Sequence, residues 1–69
     1  MTVEKSIDLT ATGPTIEEAV AEAVNRAGLT LEGISGFEIE RLEGTVDDGE
    51  LAYRVHLRVA FTIKEHFHG

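Results

Sequence analysis

The stretch LAYRVHLRVAFTI, residues 51–63, alternates between two kinds of side chain without a break. Its odd positions are apolar or aromatic, whereas its even positions include Arg54, His56 and Arg58. This period of two is typical of a β-strand with one buried face. The stretch therefore predicts a long strand whose odd side packs in the core and whose even side is partly polar.

The residues before this strand predict a hairpin and a bulge. DDGE, residues 47–50, is predicted as the turn, with Gly49 adopting the positive φ that a tight hairpin requires. In ISGFEIERLEG, residues 34–44, apolar and acidic residues alternate as far as Glu40 and Arg41, where the alternation shifts by one position. A β-bulge is predicted there, because it adds one residue to one strand of a pair.

A helix is predicted for residues 14–31. It follows TGPT, residues 12–15, whose proline suits a first helical position, with Thr12 or Gly13 near the cap. Gly33 is predicted to end the helix as a left-handed cap residue. Spacings of three and four place the apolar residues of this segment on one helical face, which must be covered: Ile16, Ala19, Val20, Ala23, Val24, Ala27 and Leu31.

The beginning of the chain completes the order of elements. Residues 3–12 alternate in a similar way to the last strand, with the apolar residues Val3, Ile7, Leu9 and Ala11 at odd positions. The order is therefore strand, helix, strand, strand. We predict an α+β fold in which a three-stranded antiparallel sheet wraps around one helix, and a length that allows a single domain, residues 1–69.

The composition favours an assembly and disfavours several classes of partner. A domain of 69 residues buries little surface and has no cysteine for disulfide bonds, so oligomerisation is the expected source of stability. With 13 acidic and 6 basic residues, the net charge of -7 repels nucleic acids and anionic membranes. Because neither a membrane span of about 18 apolar residues nor a signal peptide is recognised, we expect a cytoplasmic protein.

Several segments together resemble the dodecin family. They are TGPT before the helix, NRAG within it, GFEIERLEG on the second strand and YRVHLRVAF on the third, and the resemblance extends over residues 5–63. It implies a hollow homo-oligomeric shell of twelve subunits that stores a small molecule and is not an enzyme. The ligand implied by the family is a flavin, riboflavin or FMN, stacked on tryptophan at subunit interfaces.

Two positions depart from the flavin-binding members of that family. Gly36 stands where their stacking tryptophan precedes the FE pair, and Arg54 stands where their glutamine hydrogen-bonds the flavin ring. His56 is the remaining ring expected on the even face, so the predicted ligand-binding residues are Gly36, Arg54 and His56. Because stacking contributes roughly 1 to 3 kcal/mol per ring, the resemblance implies flavin binding weakened by several powers of ten.

Arg54 leaves two interpretations open. A guanidinium binds phosphate or carboxylate groups well, so a non-flavin assembly with an anionic ligand is one alternative. The other is structural, with Arg54 and Arg58 forming cross-strand ion pairs with Glu38 and Glu40. His56 is expected to be solvated or at an interface.

Metal binding and catalysis have weaker signals. Asp47, Asp48 and Glu50 carry oxygen ligands that suit a divalent cation, but they lack EF-hand spacing, and a solvated turn is the alternative. His66 and His68 are spaced as a metal pair on a strand would be, with a frayed terminus as the alternative. No nucleophile with a base, phosphate loop or carboxylate pair is recognised, so an enzyme is not expected.

Overall fold

The computed structural model describes residues 2–64 of the chain. In chain order it contains the strand Thr2–Gly13 (β1), the helix Ile16–Gly28 (α1), the strand Ile34–Asp47 (β2) and the strand Glu50–Lys64 (β3). The strands form one antiparallel sheet in the order β1-β3-β2. The predicted element order and antiparallel sheet are confirmed, and the strand predicted from alternation alone occupies the centre.

The core lies between β3 and α1. Val55, Leu57 and Val59 on the odd side of β3 are 0% exposed, and they meet alanines on the facing side of the helix. These alanines, Ala19, Ala23 and Ala27, are buried as well. Small side chains at every fourth position let a helix approach a sheet closely. The large side chains of this core therefore come from the strand, and the small ones come from the helix.

The helix begins later than the sequence predicted. Its N-cap is Thr15, whose hydroxyl accepts a hydrogen bond from the backbone N–H of Glu18 at 3.0 Å. A threonine at this position satisfies one of the free N–H groups of the first turn. The prediction that Thr12 or Gly13 lies at the cap is therefore wrong, because the proline residue stays outside the helix.

The helix also ends earlier, at Gly28, and the prediction that it reaches Leu31 is wrong. The N–H group of Leu31 instead bonds the Ala27 carbonyl at 2.9 Å, which closes the last turn. Gly33 does have a positive φ, 73°, but it lies in the loop before β2 and does not cap the helix. Its carbonyl accepts the backbone N–H of Thr62 at 3.0 Å, an approach so close that a Cβ at Gly33 would lie 2.8 Å from the Thr62 carbonyl oxygen.

The bulge and the hairpin occur where the sequence placed them. The register of β2 against β3 shifts between Ile39 and Arg41, as predicted, and a second shift, which was not predicted, lies between Ile34 and Gly36. Asp48 and Gly49 both have positive φ, 50° and 79°, which matches a hairpin turn whose twist suits the flanking strands.

The helix covers only two of the three strands. It packs on β1 and β3 and meets β2 only at its start, where Ile34 packs against the core. The later apolar residues on the same side of β2 stay open: Phe37 is 52% exposed, Leu42 48% and Val46 72%. This differs from the predicted sheet that wraps around the helix, because the helix lies over β1 and β3 and leaves most of β2 uncovered. Within residues 2–64, no helix is long and apolar enough to cross a membrane.

Candidate ligand-binding face

The side of the sheet opposite α1 carries all three predicted site residues. We call it the polar face. On β3 it consists of the even positions, and pairing places Gly36 opposite Ala60, Arg41 opposite His56 and Glu43 opposite Arg54. Adjacent strands present the same face at paired positions, so β1 contributes the partners of these β3 residues: Glu4, Ser6, Asp8, Thr10 and Thr12.

One chain does not bring the three predicted residues together. Arg54 and His56 are two positions apart on β3 and lie side by side on the polar face. Gly36 pairs with Ala60, six positions further along the same strand, which is roughly 20 Å at about 3.3 Å per residue. A ligand of flavin size contacts both Gly36 and Arg54 only if different subunits supply them.

The polar face therefore divides into two regions. The glycine half contains Glu4, Ser6, Asp8, Gly36, Glu38, Glu40, Arg58 and Ala60. The hairpin half contains Thr10, Thr12, Arg41, Glu43, Thr45, Arg54 and His56. The acidic residues are concentrated in the first region, and two of the three arginines lie in the second.

A shallow depression marks the glycine half. It has a volume of about 410 Å³, and Ser6, Gly36 and Ala60 are among the small residues that line it. A Cβ added at Gly36 would meet no atom within 4 Å, and the φ of this residue is not positive. The position is therefore open enough for a larger side chain or for one face of a ligand.

Arg58 in the glycine half is occupied by carboxylates from both neighbouring strands. Its guanidinium lies 3.3 Å from Asp8 and 3.2 Å from Glu40. The hydrogen bond to Asp8 raises the pKa of Arg58 above its ordinary value, and the charge of Glu40 adds to this effect. The structural interpretation, cross-strand ion pairing, therefore applies to Arg58, with Asp8 as a partner that the sequence analysis did not name.

His56 in the hairpin half connects all three strands. Its Nε2 donates to Glu43 on β2 at 2.7 Å, and its Nδ1 lies 3.2 Å from the Thr10 hydroxyl on β1. With Nε2 donating, a neutral imidazole accepts the Thr10 proton at Nδ1. The solvated or interface role predicted for His56 did not include these contacts, because neither partner was recognised as part of the site.

Glu43 is the acceptor at the centre of the hairpin half. One carboxylate oxygen accepts from His56, and the other lies 3.5 Å from the Arg41 guanidinium. The hydrogen bond from His56 lowers the pKa of Glu43 below its ordinary value against an opposing effect of desolvation, and the charges of Arg41 and Arg54 also lower it. Glu43 is thus held as an anion. The shifted alternation after the bulge is the sequence signal that could have placed it on this face.

Arg54 differs from Arg58 in its contacts with carboxylates. It is exposed, and among residues 2–63 no carboxylate forms an ion pair with it, although Glu43 is its register partner. Both oxygens of Glu43 are directed to other residues. The structural interpretation therefore does not describe Arg54 within one chain.

The candidate metal ligands among the described residues do not form a cluster in one chain. Asp47, Asp48 and Glu50 lie exposed at the turn between β2 and β3. Across the described residues, no three His, Asp or Glu side chains are arranged to hold a metal ion. His66 and His68 lie outside the described residues.

Comparison with known proteins identifies relatives. The sequence model of the Dodecin family matches residues 3–64. A solved protein from Thermus thermophilus is 31% identical, with 96% of this chain and 100% of that chain covered and a TM-score of 0.87. A dodecin from Streptomyces davaonensis is 27% identical, with 93% and 97% covered and a TM-score of 0.83.

A third solved relative is described by its ligand. It is the calcium-chelating immunodominant antigen calcium dodecin from Mycobacterium tuberculosis, reported with a novel calcium-binding site. It is 33% identical, with 97% of this chain and 99% of that chain covered and a TM-score of 0.76. The search among curated proteins found no match.

Proposed function

Because this chain belongs to the dodecin family, we propose that it is a non-enzymatic storage protein that binds a flavin, riboflavin or FMN, as a cytoplasmic homododecameric shell. The proposed ligand contacts are Gly36, Arg54 and His56. The observation that carries the proposal is their common placement on the polar face, together with the open depression at Gly36. Because Gly36 has no side chain and a Cβ there would meet no atom within 4 Å, a ring could lie against the backbone at this position.

The separation of the site residues supports an assembly. Gly36 and Arg54 lie on the same face but roughly 20 Å apart along β3, so a single site containing both needs two copies of the chain. The open apolar side of β2, with Phe37, Ile39 and Leu42 between 42% and 52% exposed, is the surface that neighbouring copies would cover. Sedimentation at micromolar concentration tests this, and a stable monomer at physiological salt contradicts the shell.

Weak affinity for the flavin ring follows from the residues present. Among the described residues, strand pairing places no phenylalanine or tyrosine on the polar face: Phe37 and Tyr53 pair with Val59 and Gly44 on the helix side of the sheet. Each lost stacking contact removes roughly 1 to 3 kcal/mol. Titration of riboflavin with the protein, followed by quenching of flavin fluorescence, tests the proposal. Quenching that saturates supports it, and its absence at millimolar protein rejects flavin as the ligand.

A shell that binds divalent cations is the second candidate. Its support is the calcium dodecin of Mycobacterium tuberculosis, at 33% identity, and the acidic turn formed by Asp47, Asp48 and Glu50. A cation site built from these residues would again need several copies, since one chain supplies no cluster among its described residues. Calorimetric titration with Ca²⁺ and Mg²⁺ tests it, and a purely structural shell is the outcome if neither cation nor flavin binds.

A further inference from the structure

Arg54 is directly opposite a carboxylate that it does not use. In the pairing of β2 with β3, Glu43 and Arg54 face each other on the polar face, an arrangement that ordinarily gives a cross-strand ion pair. Neither oxygen of Glu43 accepts a hydrogen bond from Arg54: one accepts from His56 at 2.7 Å and the other faces Arg41 at 3.5 Å. The geometry therefore leaves the guanidinium of Arg54 open because His56 holds Glu43 away from it.

We propose that Arg54 binds the phosphate group of a ligand and that His56 is the positioning residue that keeps Glu43 from blocking it. A guanidinium presents a planar fork of N–H donors that matches two oxygens of a phosphate. Thr12 pairs with Arg54 from β1, and Arg41 lies on β2 one pair further along the same face, so a hydroxyl group and a second guanidinium belong to the same region. This inference specifies the ligand class of the proposed site, and so it rests on the proposed function.

The hairpin half offers this site in a protein whose overall net charge is -7. Besides Arg54, the hairpin half contains one arginine, one imidazole and three threonine hydroxyls, and its single carboxylate is already engaged by hydrogen bonds. Arg58, four positions along the same strand, is the internal control. It is held by Asp8 and Glu40, so a phosphate group would have to displace two carboxylates to reach it.

His56 acts through three connected groups. Thr10 on β1 contacts the Nδ1 of His56, which fixes the imidazole with its Nε2 directed across β3 towards β2. Without the imidazole, Glu43 loses its 2.7 Å partner and is free to pair with Arg54, its neighbour in the register. Removal of His56 is therefore expected to weaken phosphate binding even at a pH where the imidazole carries no charge.

The first experiment compares three probes on the full chain: riboflavin, FMN and inorganic phosphate. Fluorescence quenching follows the flavins, and ³¹P line broadening follows phosphate. FMN is expected to bind about tenfold or more tightly than riboflavin, the usual effect of one charge-assisted contact, and phosphate is expected to compete with FMN. Equal affinities for the two flavins, without phosphate binding, would overturn the inference and leave the proposed function intact.

Variants then assign the effect to Arg54. Arg54→Gln is expected to lose the preference for FMN and the ³¹P broadening, whereas Arg58→Gln is expected to keep both. If neither flavin binds, the proposed function fails, and the phosphate titration of the parent and Arg54→Gln still decides the inference. Phosphate binding that is the same in the parent and in Arg54→Gln overturns it.

A double-mutant cycle tests the positioning role at pH 8. His56→Asn is expected to weaken phosphate binding several-fold, whereas the same change made in a Glu43→Gln background is expected to have no effect, because the neutral amide no longer competes for Arg54. A role of His56 in folding or in direct phosphate contact predicts the same loss in both backgrounds. That result would contradict the positioning role.

Discussion

The glycine half and the hairpin half of the polar face are built on the same three strands, but they distribute charge in opposite ways. In the glycine half, one arginine, Arg58, is contacted by two carboxylates, Asp8 and Glu40. In the hairpin half, one carboxylate, Glu43, is contacted by His56 and Arg41 while Arg54 remains open. Carboxylate groups are therefore in excess in the glycine half, and guanidinium groups are in excess in the hairpin half.

This difference shows that side-chain type alone does not decide whether a charge is structural or available. Arg54 and Arg58 lie on the same strand and the same face, with the same side chain. Their difference comes from the number of competing partners that the neighbouring strands supply. A guanidinium with two carboxylates gains little from a new anion, whereas one without a partner gains a charge-assisted hydrogen bond.

The largest effect is expected at Leu57, which lies on β3 between His56 of the hairpin half and Arg58 of the glycine half. It is 0% exposed, so Leu57→Ala leaves a cavity in the core shared by both regions. The expected loss in the free energy of unfolding is about 2 to 5 kcal/mol. Urea unfolding measures it.

Leu29→Ala, at a side chain that is 83% exposed, is the control and is expected to change stability by less than about 0.5 kcal/mol. Similar losses in the two variants would mean that the core is misplaced.

The second largest effect is expected on the affinity for the flavin ring. Gly36→Trp combined with Arg54→Gln is expected to create or tighten riboflavin binding by about two powers of ten, since stacking contributes roughly 1 to 3 kcal/mol per ring. The space at Gly36 is open, so the tryptophan meets no atom of the same chain at its Cβ. The double change should exceed either single change, because it supplies both the tryptophan and the glutamine contact, and the two gains need not be additive since both new side chains contact one ring.

Fluorescence titration of the parent, the two single variants and the double variant measures this gain. Riboflavin is the appropriate probe because it has no phosphate group for Arg54. Sedimentation serves as the control for assembly. If the double variant assembles like the parent yet binds riboflavin no better, the proposed ligand contacts at Gly36 and Arg54 are wrong.

A smaller effect is expected from pH. The hydrogen bond from His56 lowers the folded-state pKa of Glu43 below its ordinary value of 4.5. A carboxyl group whose pKa is lowered by folding stabilises the fold at pH values above its ordinary pKa. This contribution is lost as the pH falls through the folded-state pKa. The parent should therefore lose stability below pH 4.5 more steeply than Glu43→Gln. Urea midpoints between pH 7 and pH 3 test this, with Glu50→Gln at the exposed turn as the control. Parallel curves for the parent and Glu43→Gln would exclude the contribution.

The smallest effect distinguishes the two arginines by stability. Arg58→Gln removes two ion pairs at an exposed position, so a small fall in the urea midpoint is expected. Arg54→Gln removes no ion pair among residues 2–63 and is expected to leave the midpoint unchanged. High salt should reduce the effect of Arg58→Gln, because salt screens exposed pairs. The opposite order of the two midpoints would show that Arg54 is the structural residue.

The amino-acid sequence by itself determined the local features of this protein. Alternation over residues 51–63 predicted the central strand, the shift at Glu40 and Arg41 predicted the bulge, and Gly49 predicted the turn. These features depend on neighbouring residues in the chain, which is why periodicity and backbone preference reveal them. The ends of the helix were less well predicted, because several residues near Thr15 are suited to a cap and only the actual hydrogen bond to Glu18 distinguishes them.

Only the tertiary structure decided which side chains meet. The strand order β1-β3-β2 places Asp8 beside Arg58 and Thr10 beside His56, pairs that are 50 and 46 residues apart in the chain. The bulge then sets Glu43 opposite Arg54, and a hydrogen bond from His56 turns it away. Contacts between distant residues depend on register and on competition among partners, and a one-residue change in register reverses the face of every side chain that follows. That physical dependence is why the sequence placed Arg54 and Arg58 on one face but could not distinguish the arginine with two carboxylate partners from the arginine with none among residues 2–63.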